Sequence, residues 1–101
     1  MEVTKKLQDA TYEIFMHGQF TFSDHAEFRV ILNHFAEAEV QRIIFHMAGV
    51  DFVDSAALGM LLLALDESDK NKKRLAIKGA SGQVKKMFSM AKFDLLLTLS
   101  L

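Results

Sequence analysis

The chain has no cysteine, no proline and no tryptophan, and its formal net charge is −1. Without cysteine there can be no disulfide, no thiolate nucleophile and no cysteine-ligated zinc. Without proline, no helix or strand is kinked by that residue. A net charge near zero argues against direct nucleic-acid binding, or membrane-surface binding, through bulk electrostatics. The longest apolar run, Ala56 to Leu65, is about half of the ~20 residues a membrane span needs, so no membrane insertion is expected. The start, Met1-Glu2-Val3-Thr4-Lys5-Lys6, has charges but no apolar stretch after them. That is not a secretory signal, and a cytoplasmic location is expected.

What the sequence does contain is ordered. Half of the 101 residues are hydrophobic, which disfavours disorder. At this length residues 1–101 are expected to form one domain. Met1 to Leu7 alternates weakly, as an edge strand would, and Asp9-Ala10 reads as a turn. Tyr12, Ile14 and Met16 alternate with Thr11, Glu13, Phe15 and His17, a strand that Gly18 ends or bends. Asp24 and Glu27 have capping-box spacing, and Phe28, Ile31, Leu32 and Phe35 form one helix face. Arg42 to Met47 is another strand, followed by a turn over Gly49 to Val53. Ser55 to about Lys70 is a helix with Leu58, Leu61, Leu62 and Leu65 toward the core. Lys70, Lys72, Lys73 and Arg74 suit its negative end. Leu75 to Lys78 is a short strand and Gly79 to Gly82 a loop. Val84, Met87, Phe88 and Ala91 mark a third helix, and Phe93 and Leu95 to Leu99 an apolar tail with room for a last short strand.

The order β-β-α-β-α-β-α predicts an α/β fold. The first two strands form an antiparallel hairpin and the crossovers make the rest parallel. The result is a small mixed sheet with helices packed mainly on one face, since each helix has a single apolar stripe.

The most informative stretch is Asp54-Ser55-Ala56-Ala57-Leu58-Gly59, where a strand and a turn hand over to a helix that opens on serine. A helix start has unpaired N–H groups and partial positive charge. A serine there can cap the helix, or it can carry a phosphate that the helix end tolerates.

These residues resemble the STAS domain of bacterial anti-sigma-factor antagonists. The matching parts are the strand ending in Gly18, the strand Arg42–Met47, the segment Gly49 to Val53, Asp54-Ser55-x-x-Leu58-Gly59, and Val84 to Leu96 with its Phe93-Asp94. The resemblance runs essentially end to end. It implies a single STAS-like domain that is a phosphorylatable interaction module and no enzyme, with neither cofactor nor metal. It implies that Ser55 is phosphorylated by a partner that is both anti-sigma factor and serine kinase. The unphosphorylated form would bind that partner, and a PP2C-type phosphatase would reset the serine. The alternative within the family is an accessory subunit of an ABC-type lipid transport system, binding its ATPase. Three positions depart from the usual pattern. Thr21 stands where many members are acidic, His46 where many have Asp or Asn, and Ala56-Ala57 where Ser-Gly is usual. Ala56 leaves Ser55 as the only hydroxyl in the motif.

Loops at the C-terminal ends of parallel strands gather on one edge, where sites usually lie. The expected partner surface is therefore Thr21, Phe22, Ser23 and Asp24 with Asp51, Phe52, Asp54, Ser55, Ala56 and Ala57. Ala57 is expected to be an accessible neighbour of Ser55. A phosphate at the helix start gains roughly 0.3–1 kcal/mol. Repulsion from Asp51 and Asp54 offsets that by roughly 1 kcal/mol each at about 7 Å, less with salt. The fold should therefore survive phosphorylation. A buried interface should not, because a charge of about −2 would be desolvated there without a cation.

Enzyme patterns fail. His46, Asp54 and Ser55 are too close in sequence for triad geometry, and there is no Gly-x-Ser-x-Gly elbow. Gly79-Ala80-Ser81-Gly82 lacks the Gly-Lys-Ser/Thr of a phosphate loop. His17, His25, His34 and His46 lack metal-ligand spacing. Met60 and Leu63 fall off the expected core stripe, under a loop or a partner.

Overall fold

The computed structural model describes residues 1–90 and the backbone of residues 98–100. Strands β1 (Glu2–Gln8) and β2 (Thr11–Phe20) form an antiparallel hairpin. Its turn residues Asp9 and Ala10 both have positive φ, 52° and 63°, as a two-residue hairpin turn matched to strand twist requires. A 3-10 turn (Phe22–Asp24), α1 (His25–Asn33) and a second 3-10 turn (His34–Ala36) lead to β3 (Arg42–Val53). Then come α2 (Ser55–Lys70), β4 (Arg74–Lys78), α3 (Gly82–Met90) and β5 (Thr98–Ser100). The sheet order is β1-β2-β3-β4-β5, and every pair after the first is parallel. This is the expected mixed α/β sheet. Expected features at Ala91, Phe93 and Leu95 to Leu97 lie outside the described residues.

The strand periodicity sorts the two faces. Tyr12, Ile14, Met16, Ile43, Phe45, Met47 and Ile77 are buried and belong to one cluster with Phe28, Ile31, Phe35, Leu61, Val84 and Phe88 of the helical layer. On the other face, His46 stacks flat on Phe15 with centroids 4.2 Å apart. Its Nε2 meets Glu13 Oε1 at 2.9 Å. His46 is thereby tied to β2 and faces away from the helices.

Three expectations need correction. Of the two readings of Gly18, the structure bends β2 there rather than ending it, and β3 does not stop at Met47. β3 continues to Val53 through the stretch expected to turn, and two register shifts against β2 mark bulges, between Phe15/His17 and Gly18/Gln19. Each bulge adds a residue to β3, so the buried positions step from Met47 to Val50 to Val53 rather than by twos. Gly18, at φ 88°, sits at the second shift.

Next, Asp24 makes no side-chain cap for α1. Its Oδ2 accepts the Thr21 N–H at 2.8 Å instead, closing the 3-10 turn one residue group earlier. On α2, Leu62 is 42% exposed and Met60 is buried. A run of leucines has no phase of its own, and the small residues Ala57, Ala64 and Ser68, all buried, set which side approaches the core. Leu63 is exposed as expected, at 56%.

Candidate functional site

β3 ends at the C-terminal edge of the sheet, and Asp54 is the residue that organises that edge. Its backbone is extended (φ −98°, ψ 177°), the N-cap conformation for α2. Its carbonyl accepts the first helical bond, from Leu58 N at 3.1 Å, and its N–H reaches Phe20 O at 3.4 Å. One carboxylate oxygen, Oδ1, accepts from Ala57 N at 2.7 Å. The other, Oδ2, accepts from Phe22 N at 3.1 Å. A single aspartate thus caps α2 and ties the β2–α1 loop to it.

The α2 cap therefore does not come from Ser55. Asp54 is the cap, and Ser55 is the first helical residue, exposed to solvent. Its hydroxyl has no hydrogen bond among the described residues. The plain capping alternative for Ser55 is thereby excluded.

The expected surface residues divide by burial. Phe22, 62% exposed, and Phe52, 39% exposed, lie on the two segments that Asp54 joins. The Phe22 ring stacks on His25 at 4.9 Å, and the His25 Nδ1 lies 3.1 Å from Phe22 O. The aromatic is presented to solvent but held in place. Thr21 Oγ1 and Ser23 Oγ are 2.9 Å apart, bracing the same turn. Ser23 and Asp51 are exposed, and Thr21, Asp24, Asp54 and Ala56 are half-buried. Ala57 is the exception. It is fully buried in the core, so it cannot be the accessible probe that was expected. An arginine there would test folding rather than contact.

A further residue of the edge carried no signal in the sequence. Gln83, in the first turn of α3, donates through Nε2 to Val53 O and accepts at Oε1 from Val53 N, both at 3.0 Å. β3 pairs with β4 only as far as His46, and the Gln83 amide supplies a strand-like pair of bonds to Val53 where β4 has already ended. The contact spans 30 residues, so no local spacing could announce it. Beside it, Gly79 has φ 81°, and a Cβ there would lie 2.9 Å from Ala48 N, so the loop into α3 requires glycine.

The edge carries three carboxylates, of which Asp24 is paired with the Met1 ammonium at 2.9 Å and Asp51 and Asp54 have no ion pair among the described residues. No Lys or Arg occurs between Lys6 and Arg29, or between Arg42 and Lys70, while Asp24, Asp51 and Asp54 all do. Among the described residues no group of His, Asp and Glu could hold a metal ion. No helix there is long and apolar enough to cross a membrane.

Known proteins place this fold. A STAS-domain containing protein of Pseudomonas aeruginosa (strain UCBPP-PA14) is 29% identical over 93 residues, covering 92% of this chain and 89% of that one. The solved structure of an anti-sigma factor antagonist from Mycobacterium paratuberculosis matches with a TM-score of 0.85 at 10% identity, covering 98% and 84% of the two chains. SpoIIAA, a Bacillus cell fate determinant solved in its phosphorylated form, matches at 0.77 and 17% identity, covering 99% and 92%. At these identities the structural matches are likenesses of fold. The model of the STAS domain matches residues 2–101. The chain belongs to the STAS domain family.

Proposed function

We propose that this chain is an anti-sigma-factor antagonist in a bacterial partner-switching circuit, acting in the cytoplasm and catalysing nothing itself. Unphosphorylated, it binds an anti-sigma factor that is also a serine kinase. Phosphorylation of Ser55 blocks that binding, and a PP2C-type phosphatase restores it. The observation that carries this reading is the division of labour between neighbours. Asp54 does the capping, so Ser55 stands exposed at a helix start with no bond to lose.

The surroundings support a contact surface. Phe22 and Phe52 offer apolar area, and anchors of this kind dominate interfaces. The unpaired carboxylates Asp51 and Asp54 favour a basic partner surface. Phosphate on Ser55 adds charge of about −2 and is tolerated at the helix start. Under a partner it would be desolvated, at a cost of several kcal/mol unless a cation faces it. Binding is therefore blocked by charge, with no refolding.

Pull-down from the source cell with wild-type and Ser55→Asp baits tests the proposal. A serine kinase recovered by the wild type and lost with Ser55→Asp supports it, as does addition of one phosphoryl group to wild type and none to Ser55→Ala. An ABC-type ATPase recovered equally by both baits would instead make the chain a transport-system subunit.

A further inference from the structure

Tyr12 opens β2 at the end of the sheet opposite Ser55. It is only 6% exposed, and its hydroxyl is the one buried side-chain polar atom among the described residues without a hydrogen-bond partner. Native folds rarely leave such a group unpaired without a reason. Tyr12 borders a cavity of about 300 Å³, with Lys5, Leu7, His34, Glu37 and Val40 among the other lining residues. That volume is at the small end of ligand sites. The His34 ring lies edge-on to Tyr12 with centroids 5.7 Å apart, and its Nδ1 pairs with Glu37 Oε1. The cavity thus combines an apolar patch, Leu7 and Val40, with the charged groups Lys5, Lys6 and Glu37, and has one orphaned polar group at its border.

The chemistry that fits is an acceptor with negative charge. Burial and the Glu37 charge push the Tyr12 hydroxyl up to about 12, so at neutral pH it keeps its proton and can donate. Lys5 forms no ion pair among the described residues. The one carboxylate of the lining, Glu37, is already engaged by His34. We propose that this cavity binds a small organic carboxylate. Its oxygens accept the Tyr12 O–H and face the Lys5 ammonium, and its carbon body lies against Leu7 and Val40. The site is separate from the Ser55 edge and does not depend on the switch.

Benzoate is the probe, titrated into the isotope-labelled full chain and followed by amide chemical shifts, with benzyl alcohol as the uncharged control. Saturable shifts centred on Leu7, Tyr12, His34 and Val40 are expected, with benzyl alcohol at least tenfold weaker. Tyr12→Phe should weaken benzoate at least tenfold and leave the denaturation midpoint unchanged or raised, because the hydroxyl has no bond in the fold to lose. Three results would overturn the proposal. They are no saturable shifts at the cavity, benzoate affinity unaffected by Tyr12→Phe, or a lowered midpoint for Tyr12→Phe, which would make the hydroxyl a structural anchor.

Discussion

The two halves of β3 do different work. From Arg42 to His46 the strand is paired on both sides, and Ile43 and Phe45 drop into the core at period two. From Gly49 to Val53 it is bulged, paired with β2 on one side and held on the other by Gln83 at Val53. The first half buries what it can. The second half keeps Val50 and Val53 in the core and turns Asp51 and Phe52 outward. Bulges re-aim side chains in this way where a strand ends at a site. One strand therefore supplies both the fold and its presented edge, and substitutions in the two halves should fail differently.

The largest contrast is between two phenylalanines. Phe45→Ala should cost about 3–5 kcal/mol of stability in chemical denaturation, as a large cavity in a sealed core does. Phe52→Ala should cost under about 1 kcal/mol, with its loss appearing in partner binding. Equal stability losses would break the division of β3.

A second contrast falls between adjacent residues. Asp54→Ala removes the α2 cap and the bond to Phe22, and should cost about 1–2 kcal/mol. Ser55→Ala should stay within about 0.5 kcal/mol. If urea denaturation found Ser55→Ala the worse of the two, the capping role would belong to the serine.

The smallest effect comes from the other end of the sheet. Ala10 holds φ 63° in the β1–β2 turn, a conformation that suits glycine. Ala10→Gly should stabilise the chain by about 0.5–1 kcal/mol, seen as a raised denaturation midpoint.

Much of this was legible in the sequence, for physical reasons that also set its limits. Tyr12, Ile14 and Met16 alternate, and Phe28, Ile31 and Phe35 recur at helical spacing, so β2 and α1 could be read directly. The upper half of β3 reads as a turn in the sequence because bulges break alternation, and the Gly49-Val50-Asp51 stretch looks like loop chemistry. The sequence leaves the phase of α2 open at Leu62 because Leu61, Leu62 and Leu63 run consecutively. Packing by Ala57 and Ala64 decides the phase, and alanines carry little hydrophobic signal. The Asp54-Ser55 pair was found, but which of the two caps is a matter of backbone geometry. Gln83 was invisible, as a contact between distant segments must be.

On the proposed function, Ser55 governs binding by charge while contributing nothing to the α2 cap. One variant, Ser55→Asp, tests this in two ways: calorimetric titration against the proposed kinase partner and chemical denaturation. At least about a 30-fold loss of affinity, roughly 2 kcal/mol, is expected, with stability changed by under about 1 kcal/mol. Unchanged affinity, or a variant that no longer folds, would contradict it.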